Sequence, residues 1–204
     1  VDITVLQECD APAAIDDQCA YFKVATRKGV GVVTKLPWRV EAAPQSEHVT
    51  GSAYPVMISG PQTLHLLAIW AHPTPTYVRS ILGALDHYGD FLRSAPSLIV
   101  GDFNSHTFWD YQSRTANHSV LVRRLDEEFG LVSAFHAFAE RDGRPEPPTY
   151  FHRRKEAEPF HLDYCFIPKS WVPQLKSVEI GNYVDWATQS DHRPVVIDVG
   201  GMDF

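Results

Sequence analysis

Apolar residues in this chain gather in short runs broken by Gly, Pro, Asn and Asp, a rhythm that predicts more strands than helices. Residues 1–6 are rich in β-formers and alternate weakly, which predicts a strand delivering Gln7 and Glu8 at its C-terminal end. Residues 21–25 and 29–34 predict a hairpin about the Arg27-Lys28-Gly29 turn, ended by Pro37-Trp38. Residues 52–59 and 64–71 predict two further strands, separated by the Gly60-Pro61 turn signal. The strongest helix covers residues 76–92, where Val78, Ile81, Leu82, Leu85 and Leu92 share one face. Leu98-Ile99-Val100 reads as a strand buried on both faces. A second helix fits residues 117–129, with Asn117 as its cap, Leu121, Val122, Leu125 and Phe129 on one face, and Gly130 as a left-handed stop. After Pro147 the rhythm returns to strands: 149–152 and 161–167 flank a charged turn at 155–158, and 178–180 and 195–199 complete the set. Strands both precede and follow the helical section, which predicts a layered α/β sandwich with mixed sheets rather than alternating βαβ units.

Length and composition narrow this picture. A chain of 204 residues without repeats or linkers is expected to fold as one domain, 1–204. The formal net charge of -7 excludes a surface that is basic throughout, but leaves room for a local basic patch. Cys9, Cys19 and Cys165 have no metal-type spacing and read as buried free thiols. The longest apolar run, residues 66–71, is far too short to span a bilayer, so no stable membrane insertion is expected. No leader-like segment opens the chain, and the default expectation is a cytoplasmic monomer.

Four segments carry candidate chemistry. Gly101-Asp102-Phe103-Asn104 follows the buried strand, and ligand sites commonly gather at the carboxyl ends of such strands. Asp102 and Asn104, two apart, point the same way in extended backbone; an Asx-type turn is the plainer alternative. Ser190-Asp191-His192-Arg193-Pro194-Val195 precedes the last strand and offers a hard oxygen donor beside a group that holds a proton near neutral pH. The plainer reading is a polar loop with Pro194 setting the strand entry. His161-Leu162-Asp163-Tyr164 puts His161 and Asp163 on one strand face. A buried Asp163 needs a partner, and His192 is a natural one; a solvated edge strand is the alternative. Glu8, taken alone, reads as a loop carboxylate.

Together, Leu6-Gln7-Glu8, Gly101-Asp102-Phe103-Asn104, His161-Leu162-Asp163-Tyr164 and Ser190–Val195 resemble, in order and spacing, the motifs of the endonuclease/exonuclease/phosphatase superfamily. Trp70-Ala71-His72 matches the strand-end histidine of many members. The resemblance implies a DNase I-like, four-layer α/β sandwich: two packed mixed sheets flanked by helices. It implies Mg²⁺ or Mn²⁺ held by Glu8, with Asp191 helping, and His192, oriented by Asp163, activating water or holding the scissile phosphate. Asp102 and Asn104 would position the nucleophile and stabilise the transition state, and His72 would contact phosphate. Which of Asp102 and His192 takes the proton is left open. Members usually carry an Asn-containing strand and a helix before the Leu-Gln-Glu motif, whereas here five residues precede Leu6.

The expected function is a divalent-metal-dependent phosphodiester hydrolase, a nuclease acting on DNA or RNA. The alternatives are a phosphatase or phospholipid phosphodiesterase of the same superfamily, and a non-catalytic binding domain. Arg153 and Arg154 are candidate contacts to substrate phosphates, with a solvated hairpin tip as the alternative. Trp109 is a candidate for stacking on a base, or for packing beneath its loop.

Overall fold

The computed structural model describes residues 1–45 and 51–200. Contacts divide the chain into two compact units, one ending at Asn104 and the other starting at Ser105.

In the first unit, β1 (Ile3–Cys9), β2 (Cys19–Lys23) and β3 (Gly29–Thr34) form an antiparallel sheet in the order β1-β3-β2. A second sheet runs through β4 (Arg39–Ala42), β5 (Ala53–Ser59), β6 (Leu64–Trp70) and β7 (Ser97–Asp102) in that order. Its pairs are antiparallel except β6–β7, which is parallel and therefore needs a crossover. That crossover is α1 (Tyr77–Arg93), capped by Thr76, whose side chain accepts from Arg79 N at 3.2 Å. The helix buries Val78, Ile81, Leu85 and Leu92 and packs on β5 and β6. The smaller sheet packs on β6 as well. Strand β6 is thus covered on both faces, and Leu66, Leu67, Ala68 and Ile69 in succession are 0% exposed. The double-sided burial expected for Leu98-Ile99-Val100 is only half realised: Ile99 is buried while Leu98 and Val100 are partly exposed.

In the second unit, α2 (His118–Phe129) begins and ends where the sequence places its signals. Asn117 Oδ1 accepts from Val120 N at 2.8 Å, and Gly130 closes the helix at φ 64. Strand β8 (Leu131–Ser133) follows directly and leads into α3 (Ala134–Asp142), which the apolar pattern did not reveal. Ser133 is at once the last strand residue and the helix cap, so the change of period falls inside one short run. Next come β9 (Tyr150–Phe151), β10 (Pro159–Phe160) and β11 (Asp163–Pro168), then β12 (Leu175–Ile180), the one-turn helix α4 (Tyr183–Trp186) and β13 (Val195–Val199). β8 pairs with β11, β9 with β10 and β12 with β13, all antiparallel, and α3 packs on β11 and β12. The strand expected over 149–152 shrinks to two residues because Arg153 and Arg154 adopt positive φ, at 52 and 59. The three cysteines are free thiols. Among the described residues no helix is long and apolar enough to cross a membrane.

One glycine governs how the first unit's strand ends meet. Gly101 has φ 143, and a Cβ there would stand 1.9 Å from Ile69 O and 2.8 Å from Gln7 Nε2. Gly101→Ala therefore combines a disfavoured backbone with a clash against a neighbouring strand, and is expected to destabilise the protein by about 2–4 kcal/mol. Urea unfolding monitored by tryptophan fluorescence measures this; a midpoint within error of wild type would show that the strand ends yield.

Candidate active site

Parallel pairing puts the C-terminal ends of β6 and β7 side by side, with Trp70 opposite Asp102 and Ala71 N donating to Asp102 O at 2.9 Å. Asp102 is 4% exposed. Its Oδ1 accepts from Asn104 N at 2.8 Å and its Oδ2 from Asn104 Nδ2 at 2.7 Å. The Asx-type turn is therefore present, and it holds Asn104 at φ 47 with its amide also reaching Ala71 O at 3.4 Å. His72 is fixed through its backbone: its N–H donates to Ser52 Oγ at 2.9 Å and its carbonyl accepts from Ser80 Oγ at 3.2 Å. The Nε2 of His72 is buried without a hydrogen-bond partner. So is Gln7 Nε2, which lies against Gly101. Glu8, beside Gln7, is exposed at φ 52, where the β1–β3 register shifts between Leu6 and Cys9. One end of the first unit thus carries an exposed carboxylate, a buried anchored carboxylate with its amide partner, and two buried nitrogens without partners.

The second unit pairs Asp163 with His192. Strand β11 brings Asp163, 14% exposed at its side chain, to 2.8 Å from His192 Nδ1 through Oδ2. With a carboxylate as partner, Nδ1 is the ring nitrogen that donates. The His192 loop is held from several sides: Ser190 Oγ accepts from His192 N at 3.0 Å, Asp191 O accepts from Phe151 N at 2.8 Å, and Arg193 N donates to Thr149 O at 2.7 Å. Tyr150 forms an isolated bridge to His192, its ring 4.8 Å from the imidazole. Arg193 is 2% exposed, with its guanidinium over the rings of Phe151 and Tyr183 at 4.6 and 5.0 Å. Thr149 and Tyr150, which hold this loop, carry no signal in the sequence, where residues 149–152 read only as a strand flanking the charged turn.

A third cluster was also missed. Glu146 Oε2 and Oε1 lie 2.9 Å from His106 Nε2 and from His136 Nε2. His118 Nδ1 is 2.9 Å from Ser105 Oγ, and His161 Nδ1 is 2.7 Å from Pro147 O. Of these histidines His161 lies in a segment the sequence singles out and His106 follows Asn104 by two positions, but nothing in the sequence joins them to His118, His136 and Glu146. Burial pushes the Glu146 carboxyl up, but hydrogen bonds from His136 and His106 outweigh it and hold the group at about 2. Burial lowers His118 to about 4, against the opposing pull of Asp110 and with help from His106 and His136.

The proposed substrate-contact residues fall into different settings. Arg154 donates to Thr188 O at 3.2 Å and Gln189 O at 3.4 Å, so its donors serve the backbone, while the neighbouring Arg153 is exposed. The Trp109 ring packs 4.6 Å from Phe160, between half-buried Phe160 and exposed Phe108.

Among the described residues no group of three or more His, Cys, Asp or Glu is arranged to hold a metal ion. Mg²⁺ keeps several waters and takes only one or two carboxylates, so the chemistry of each candidate ligand suits it. Glu8 supplies an exposed hard oxygen donor and Asp191 a partly exposed one.

No family model and no curated protein matches the sequence. Solved structures do match the fold. The endonuclease domain of TRAS1, a telomere-specific non-LTR retrotransposon, aligns with 97% of this chain and 78% of its own, at TM-score 0.60 and 17% identity. The 3′ phosphatase NExo from Neisseria, solved with a product DNA hairpin, aligns over 98% and 89%, at TM-score 0.67 and 16% identity. The AP endonuclease LMAP from Leishmania major aligns over 96% and 77%, at TM-score 0.66 and 14% identity. The chain therefore has the mixed α/β, DNase I-like fold of endonuclease/exonuclease/phosphatase-type proteins, as the resemblance of its motifs implies.

The buried cluster predicts two separate acid transitions. His118 stays neutral in the fold, whereas the unfolded chain takes up its proton near 6.5. Stability of on the order of 3 kcal/mol is therefore present above that pH and is lost as pH falls toward 4. The depressed Glu146 carboxyl stabilises the fold above about 4.5, and that contribution is lost as pH falls toward 2. Urea midpoints measured from pH 8 to 2 should lose the upper transition in His118→Asn and the lower one in Glu146→Gln. An unchanged profile in either variant would refute that assignment.

Proposed function

We propose that this protein is a divalent-metal-dependent phosphodiester hydrolase, a nuclease acting on DNA or RNA. The observation that carries the reading is the 2.8 Å hydrogen bond between Asp163 Oδ2 and His192 Nδ1, made by two motifs far apart in sequence. An imidazole oriented by a carboxylate is a group suited to take a proton from water in hydrolysis at phosphorus. His192 takes the proton in this reading, and Asp163 keeps the ring in the required tautomer and stabilises the imidazolium. Asp102 serves differently, since both of its oxygens accept from Asn104; in this reading the two together position the nucleophile and stabilise the transition state. His72, whose Nε2 is buried without a partner, donates to a phosphoryl oxygen. Glu8, with Asp191, would hold Mg²⁺ or Mn²⁺, which supplies Lewis acidity at the phosphate when bound. Arg153 and Trp109 are proposed contacts to the substrate backbone and a base. The DNA-processing proteins that share the fold support a nucleic-acid substrate over a lipid one.

The test is turnover with Mg²⁺ or Mn²⁺ of abasic-site duplex, single-stranded DNA, RNA, inositol phosphates and bis-p-nitrophenyl phosphate. Cleavage of a nucleic acid is expected, abolished by EDTA and restored by either metal. His192→Ala should lower kcat by about 10²–10⁴-fold, the range for losing a positioned general base. Turnover restricted to inositol phosphates would favour the phosphatase alternative, and inertness with every substrate and metal would favour a binding domain.

A further inference from the structure

Thr149 is fully buried, 0% exposed, and its four hydrogen bonds reach both sides of the Asp163–His192 pair. Its hydroxyl oxygen accepts from two consecutive amides, Leu162 N at 2.9 Å and Asp163 N at 3.0 Å. Its own N–H donates to Phe160 O at 3.0 Å, and its carbonyl accepts from Arg193 N at 2.7 Å. The hydroxyl therefore pins the residue that carries the carboxylate, while the carbonyl pins the residue next to the imidazole. A hydroxyl has two lone pairs, and both are used on these amides. The next residue, Tyr150, sits against the imidazole itself. No other side chain described at this pair bonds to the backbone of Asp163.

We propose that Thr149 is the positioning residue of the Asp163–His192 pair, its buried hydroxyl setting where β11 presents the carboxylate to the imidazole. This rests on the reading of His192 as the proton acceptor. Without the hydroxyl, the amides of Leu162 and Asp163 lose their acceptor beside a fully buried side chain, and the start of β11 must move to satisfy them. A displacement of even 1 Å in a catalytic group can cost about 10²-fold in rate. Thr149 touches neither substrate nor the reacting atoms; it acts through Asp163.

Thr149→Val keeps the volume and the backbone bonds while deleting the hydroxyl, and Thr149→Ser restores the hydroxyl without the methyl. The expected result is a fall in kcat of about 10- to 100-fold in Thr149→Val with KM changed by less than about 3-fold, and recovery to within about 3-fold in Thr149→Ser. A second readout needs no turnover: the proton of the His192 Nδ1–H to Asp163 bond, seen by NMR and assigned by its loss in His192→Asn. It should exchange faster or shift in Thr149→Val and return in Thr149→Ser. If Thr149→Val does not fold, Thr149→Cys, whose thiol is a weak acceptor, is expected to give an intermediate shift. An unmoved resonance in Thr149→Val or Thr149→Cys would overturn the proposal, as would Thr149→Ser behaving like Thr149→Val, which would assign the effect to the methyl. A wild type without hydrolase activity but with the NMR response intact would sink the proposed function and leave the positioning role standing.

Discussion

A carboxylate withdrawn from water costs several kcal/mol unless hydrogen-bond donors replace the solvent, and this protein meets that constraint at three places. Asp102 is answered by the backbone and side chain of Asn104, Asp163 by His192, and Glu146 by His106 and His136. In each case the donor comes from a loop or a helix start, while the apolar elements nearby supply the burial that makes a donor necessary. The packed core and the polar chemistry are therefore coupled. The apolar faces of β7 and β11 create the low-dielectric setting in which one misplaced carboxylate would be expensive, and that cost locks each loop to its partner.

The second unit shows how little regular structure this takes. β9 is two residues long, yet Thr149, Tyr150 and Phe151 bond or pack against residues 160, 162, 163 and 191–193. Arg193 completes the arrangement from the other side with a buried guanidinium stacked on two rings rather than solvated. Such a charge is shielded from mobile ions, unlike the exposed pair Arg39–Asp17, so the loop carrying His192 does not depend on low ionic strength.

Much of this was legible in the residues because the informative signals were local. Asn117 and Gly130 mark helix ends by hydrogen-bonding rules that operate within a few residues, and both act as read. Asp163 was matched to His192 by asking what a carboxylate on a strand with an apolar opposite face requires, a question with few answers. What escaped detection was non-local or disguised. Ser133 ends a strand and starts a helix in the same apolar run, so periodicity could not separate β8 from α3. His106, His118, His136 and Glu146 join His161 only through folding, and no spacing announces the cluster. Thr149 carried no signal at all, since a threonine before two aromatics is ordinary strand composition. The Asx turn at Asp102 had been weighed as an alternative to function, but the same two bonds that make the turn also orient Asn104.

The parallel pairing of β6 with β7 has a consequence for how the protein reaches this state. His72, Asp102 and Asn104 lie at the ends of two strands that cannot be joined by a tight turn and meet only after residues 71–96 have crossed over as α1. Loop-closure entropy is spent before that pairing returns any contact, whereas the hairpins β2–β3 and β5–β6 form from neighbouring sequence. The strand ends carrying His72, Asp102 and Asn104 are thus the late-forming part of the first unit. Until it forms, the strand Leu64–Trp70 has one edge unpaired, so a nascent chain is most vulnerable to association in the interval before these strand ends come together.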